Sequence, residues 1–216
     1  MHPAAVQHSM IVDEILRIID CAALFYLILL LWIPFFWFAF HPALRFWRRI
    51  GRRAFWLALP VWLVFAGGII ITRHQLLAQR FNRNALTWLA GVALFLGASW
   101  LEAQTRRAFG WRRLVGLPEL SPGHPLRGVV RTGIYARIRH PRYLLYMLMI
   151  LSMAFLTGAR PIFLLAFLNV LMYQILAPLE ERKLLDQYGP EYENYCRMVP
   201  RFVPHLEWRP ESRISS

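Results

Sequence analysis

Five stretches of this sequence contain no aspartate, glutamate, lysine or arginine: residues 21–44, 54–72, 84–101, 143–159 and 161–179. They hold 24, 19, 18, 17 and 19 residues. A helix rises about 1.5 Å per residue, so about 17–25 residues cross the hydrocarbon core of a bilayer, and every stretch has that length. A soluble helical protein would have to bury five such helices within 216 residues. The sequence therefore predicts an all-α, multi-pass membrane protein with about five transmembrane helices. A hydrophobic content of 57% and a mean hydropathy of +0.39 exceed those of ordinary soluble domains and agree with this reading.

Orientation follows from the cations, because arginine and lysine accumulate in short cytoplasmic loops. With five spans, one side receives Arg45 to Arg53, the nine arginines from Arg106 to Arg142 and the tail, twenty cations in all; the other receives five. The expectation is an N-terminus outside and a C-terminus in the cytoplasm, in a bacterial inner membrane. No basic region precedes the first stretch and no small-residue cleavage pattern follows "IPFFWFAF", so this span is expected to be retained. The net charge of +13 comes without any helix-turn-helix, zinc-finger or RNA-binding pattern, so anionic lipid headgroups, not nucleic acid, account for it. Only two cysteines are present, Cys21 and Cys196, which excludes a disulfide framework, and neither has metal-ligand neighbours at useful spacing, which gives no metal site.

The chain divides into a three-span region, residues 1–101, and a region of basic loop, helical hairpin and tail, residues 102–216. Within the loop, "GLPELSPGHPLRG" breaks any helix and reads as an ordered turn-rich segment. Ala93 and Gly97, four apart on the third span, are candidates for a close helix approach. Gly158 and Pro161 in "TGARP" suit the end of one helix and the start of the next, making the last two spans antiparallel neighbours. This hairpin brings His140 and Tyr143 to the membrane edge of Glu180 and Glu181, and places Asn169 and Tyr173 near one face with Glu180.

That edge offers opposite charges. The first turn of the fourth span, opened by Pro141, has free N–H groups and is surrounded by Arg137, Arg139 and Arg142, a setting for an anion, although these arginines also satisfy the inside-positive rule. Glu180 and Glu181 stand at the end of the fifth span, where they oppose the helix dipole; ordinary ion pairs or a cationic ligand would offset them. An anion site and a cation site beside Tyr135, Tyr143 and Tyr173 suit a zwitterionic amino acid joined to a flat ring. S-adenosylmethionine has those parts, and another nucleotide would fit almost as well.

Two segments carry a family resemblance: "LRGVVRTGIYARIRHPRYL", 126–144, and "LEERKLLDQYGPEYENYCRMVPRFVP", 179–204. They resemble the integral-membrane methyltransferases that include isoprenylcysteine carboxyl methyltransferase and phospholipid methyltransferases; the earlier spans match only as hydrophobic helices. The resemblance implies S-adenosylmethionine as cofactor, bound without a glycine-rich Rossmann site between the hairpin and the tail. The contacts it implies are the loop backbone at Arg127, Gly128, Val129 and Val130, with Tyr135, His140, Pro141 and Tyr143. Glu180 would engage the cofactor's amino end and Glu181 would support it. The tail would fold back over the pocket, packing Tyr192 and Tyr195 and pointing Arg201 toward the site; Arg201 is the one candidate catalytic residue, and His140 could instead cap the fourth span.

The acceptor implied is lipophilic: an isoprenylcysteine carboxylate, a lipid or a small molecule. Leu176 stands where the isoprenylcysteine branch has an arginine for the substrate carboxylate, which argues against that acceptor. Two alternatives remain open on the sequence: a membrane sterol or ene reductase using NADPH, which shares an HP-x-Y segment and a tyrosine-rich tail, and a non-enzymatic accessory protein.

Overall fold

The computed structural model describes residues 3–40, 54–109 and 128–203. Arg127, most of the "GLPELSPGHPLRG" segment, the arginines from Arg45 to Arg53 and the chain after Val203 lie outside the described residues. The elements are α1 (Pro3–Leu30), α2 (Trp32–Phe40), α3 (Ala54–Ile71), α4 (Arg73–Ala78), α5 (Ala85–Phe109), a single 3-10 turn (Gly133–Ala136), α6 (Pro141–Thr157), α7 (Arg160–Tyr188) and α8 (Pro190–Met198). The described chain is helical throughout, apart from turns and one isolated bridge between Arg80 and Ala159.

Three helical segments are long and apolar enough to cross a membrane, Ser9–Phe36, Ala85–Ala108 and Arg160–Tyr188; Leu59–Ile71 and Pro141–Thr157 are shorter apolar helices. The surface of α7 is ordered as a bilayer requires. Leu164, Leu168, Leu171 and Ile175, spaced four, three and four residues apart, are exposed, whereas Ile162, Ala166, Asn169, Tyr173 and Leu176 are buried. Two polar side chains of α7, Asn169 and Tyr173, thus face its neighbours while a stripe of large aliphatic ones faces outward, the inverse of a soluble amphipathic helix.

The α6–α7 hairpin forms where the punctuation residues predict it. Gly158 takes φ 68°, ψ 10° and its N–H bonds the Ala154 carbonyl, while Pro161 lies in the first turn of α7. A side chain at that left-handed position would be strained, and its Cβ would come within 3.0 Å of Arg83. The loop before α5 packs on the hairpin tip: Phe81 N–H donates to Gly158 O (3.0 Å), Arg160 N–H to Gln79 O (2.8 Å), and Arg83 Nη1 to Leu156 O (3.3 Å). Arg80 adds a two-point ion pair to Asp20 of α1, Nη1–Oδ1 3.1 Å and Nη2–Oδ2 2.7 Å. Asp20, Arg80 and Gly158 therefore share one level, at the opposite end of the hairpin from His140.

Helix α6 packs most extensively on α5, with α1 and α7 also against it. The close approach on α5 is made at Gly91, which is buried, as is Ala98 seven residues on, and not at the expected Ala93 and Gly97: Ala93 is exposed, and a Cβ at Gly97 would meet nothing within 4 Å. Both spacings contain small residues at helical intervals; only packing chooses the face. A Cβ at Gly91 would stand 2.8 Å from Leu156 Cγ and 3.3 Å from the Leu156 backbone nitrogen. Gly91→Val is expected to cost about 2–3 kcal/mol by overpacking, read as a lower denaturant midpoint in detergent, with Gly97→Val as the neutral control.

Candidate active site

The hairpin register sets the site. Thr157 and Arg160 face one another across the turn, so equal travel down antiparallel helices brings Tyr143 opposite the turn containing Tyr173, and their rings stack at 4.6 Å. From the same start α7 extends beyond the beginning of α6, because "EERKLLDQY" consists largely of good helix formers. Glu180 and Glu181 accordingly lie two turns before the end of α7, which closes at Tyr188, and not at its C-terminus as the charge-free window suggests. The dipole argument from the sequence is weakened by that distance, and ion pairs carry the electrostatics instead.

Glu181 is buried and saturated. Its Oε1 accepts from Arg139 Nε (3.1 Å), His140 Nε2 (3.0 Å) and Arg201 Nε (3.0 Å), and its Oε2 from Arg201 Nη2 (2.6 Å). A carboxylate can only accept, so His140 Nε2 is the donor in its bond to Glu181. Arg139 N–H donates to Pro200 O (2.9 Å) and His140 N–H to Arg201 O (3.0 Å), clamping the tail beside the entry to α6. Arg201 meets Glu181, and both its carboxylate contacts hold the tail to α7.

Glu180 is differently placed. Its Oε2 accepts the Tyr143 hydroxyl at 2.7 Å and lies 3.5 Å from His140 Nδ1, while its Oε1 accepts no hydrogen bond from the described residues. The side chain keeps 28% of its exposure. His140 and Tyr143 stack nearly parallel, at 5.2 Å and 7°. His140 occupies the N-cap position of α6 through its backbone, but its ring makes no capping bond; its two nitrogens face the two glutamates instead. Pro141 is the first helical residue, where no N–H partner is needed.

The loop and tail close the other side. Gly128 has φ 61°, and from it the chain runs along α8: Val129 N–H donates to Glu191 Oε1 (3.4 Å), and Arg131 Nη2 donates to Glu191 O (2.8 Å). The Val129 amide is therefore engaged within the protein, while Val130 packs on the main core. Tyr192 and Tyr195 are both buried in a small cluster with Val199. Tyr195 donates to Tyr135 O at 2.6 Å, and burial pushes its phenol well above the usual range, so this bond persists across neutral pH. Burial also raises the Cys196 thiol, which makes it a poor nucleophile.

Sequence reasoning missed the Glu181–Arg201 clamp, whose partners lie twenty residues apart on different elements, and Tyr146, which takes the Arg142 guanidinium. The i, i+4 spacing of Arg142 and Tyr146 was the available signal for the latter.

Residues 86–191 match the family model described as phospholipid methyltransferase. Over these residues the chain is similar to the phospholipid methyltransferase family. The match begins at the start of α5 and ends inside α8, so it spans the helices that build the glutamate, histidine and tyrosine cluster. The chain is also 30% identical over 131 residues to a methanethiol S-methyltransferase of Pseudomonas deceptionensis, covering 60% of this chain and 48% of that protein. It thus spans about half the length of the curated relative it matches. Among the described residues no group of three or more histidine, cysteine or carboxylate side chains could hold a metal ion.

Proposed function

We propose that this protein is a membrane-embedded, S-adenosylmethionine-dependent methyltransferase whose acceptor is lipophilic. The observation that carries the reading is Glu180 Oε1, which accepts no hydrogen bond from the described residues, beside the parallel rings of His140 and Tyr143, within the segment that matches the phospholipid methyltransferase family. A free carboxylate oxygen at a partly exposed edge fits an ammonium, and the flat rings fit an adenine or sulfonium neighbour, so the donor set matches this cofactor. Residues 102–216 would then form the cofactor-binding region, with Gly128, Val130, Tyr135, His140, Tyr143 and Glu180 lining it. Glu181 and Arg201 support it from behind, by fixing His140 and the tail.

S-adenosylmethionine, when bound, supplies an electrophilic methyl on a sulfonium. The protein's part is to hold the acceptor in line with that methyl and to exclude water; desolvation within the membrane favours charge neutralisation. The relative's name, methanethiol S-methyltransferase, supports a small thiol as one acceptor class, alongside lipids, while Leu176 disfavours a prenylcysteine carboxylate. In this reading the N-terminus lies outside and the tail in the cytoplasm of a bacterial inner membrane, where the cofactor is supplied.

The test is transfer of a labelled methyl from S-adenosylmethionine into a lipid and small-molecule extract by the full-length protein in detergent. A labelled lipophilic product is expected. Calorimetric binding of NADPH with no heat from S-adenosylmethionine would instead indicate a reductase and overturn the reading.

A further inference from the structure

Among the arginines with described partners, most are matched to acid: Arg80 to Asp20, Arg131 to Glu191, Arg139 and Arg201 to Glu181, Arg197 to Glu193. Arg142 is not. Its Nε and Nη2 both donate to one phenol oxygen, that of Tyr146, at 3.2 and 2.8 Å, and the guanidinium lies 5.8 Å from the centre of that ring. No described carboxylate pairs with it. A guanidinium has five N–H groups, so most of its donor capacity is unspent. By reaching for Tyr146, one turn further along α6, the charge is turned into the hairpin and away from the Glu180 edge.

A second set of polar groups lies in the same place without partners. The Tyr173 hydroxyl and both amide atoms of Asn169 are fully buried and make no hydrogen bond among the described residues. They lie one turn apart on the face of α7 that meets α6. In a membrane interior no bulk water satisfies such groups, and each unpaired one carries a free-energy cost. The two sets adjoin: the Tyr173 ring stacks on Tyr143 and lies 6.1 Å from the Tyr146 ring that holds Arg142. Asn169 is eleven residues from Glu180, about 16 Å along the helix, so this polar lining runs deeper than the membrane-edge cluster.

We propose that Arg142, the Tyr173 hydroxyl and the Asn169 side chain form an anion-binding subsite within the α6–α7 hairpin that receives the head of an amphiphile bound as a carboxylate or thiolate. The unspent groups are mainly donors: the remaining guanidinium N–H groups, the phenol O–H and Asn169 Nδ2, with Asn169 Oδ1 as the accompanying acceptor. That balance, together with a fixed positive charge, favours an anion and disfavours an amine. Taking this anion as the methyl acceptor rests on the methyl-transfer reading above. An acceptor bound as its anion needs no general base: its lone pair forms the bond to the methyl carbon as the carbon–sulfur bond of the sulfonium breaks, leaving a neutral thioether and moving no proton.

The test is calorimetry on the full-length protein in detergent, with octanoate, octylamine and S-adenosylmethionine as separate probes. Octanoate is expected to bind in preference to octylamine. Arg142→Gln should weaken octanoate at least tenfold and Tyr173→Phe threefold or more, while both variants keep the S-adenosylmethionine affinity within twofold. Tyr173→Phe retains the stacked ring and removes only an unbonded hydroxyl, so it stays folded and the test stays readable if Arg142→Gln does not. Octylamine binding as tightly as octanoate, or octanoate affinity unchanged in Tyr173→Phe and any folded Arg142 variant, would overturn the proposal. So would a parallel loss of S-adenosylmethionine affinity, which would make this the cofactor's own carboxylate site. Arg142-dependent octanoate binding in a protein with no affinity for S-adenosylmethionine would sustain the subsite and remove the methyl-transfer reading.

Discussion

Glu181→Gln is expected to destabilise the protein by about 3 kcal/mol or more, because removing one partner from a buried ionic network leaves the other charges uncompensated. The three donors on Glu181 come from three places: Arg139 from the loop before α6, His140 from its N-cap, Arg201 from the tail. An amide of the same shape can accept on its oxygen, but its NH2 would then face guanidinium N–H groups that donate as well. Unfolding in a detergent titration should show a lower midpoint, and trypsin should cut after Arg201 faster in the variant, because Pro200 and Arg201 are held by the same clamp. Arg201→Gln should cost less, since that side chain keeps 35% of its exposure. The double variant should fall short of the sum of the two. Unchanged midpoint and cleavage rate would show that the network contributes nothing to holding the tail.

The sequence made the membrane hairpin legible for a simple reason: charge-free length and a Gly-x-x-Pro turn are local properties, and the bilayer enforces them residue by residue. The meeting of His140 and Tyr143 with Glu180 followed from the same register, as antiparallel helices of equal rise leave little freedom. What stayed hidden was lateral. Gly91, not Ala93 or Gly97, meets α6 because rotation about the α5 axis is decided by packing against Leu156 and its neighbours, which no spacing encodes. The two adjacent glutamates are likewise indistinguishable in sequence. A step of one residue turns a helix by about 100°, and that turn sends Glu181 into the arginine clamp and leaves Glu180 at the opening with an oxygen that no described residue engages.

Glu180→Gln should therefore behave as the opposite of its neighbour: near-native stability with binding of S-adenosylmethionine weakened more than tenfold. The amide oxygen can still accept from Tyr143, the one strong hydrogen bond that Glu180 makes among the described residues, so the α6–α7 contact survives. The side chain is part-exposed, and losing its charge strands no guanidinium, because Arg139 and Arg201 are both held by Glu181. What is lost is the negative charge available to a ligand's ammonium; a charge-assisted hydrogen bond contributes about 1.5–3 kcal/mol, or about ten- to a hundredfold in affinity. Calorimetry and the unfolding midpoint, read on the same preparation, separate the two roles. Undiminished affinity would make Glu180 a support for Tyr143 alone, and a fall in stability matching that of Glu181→Gln would place it inside the clamp.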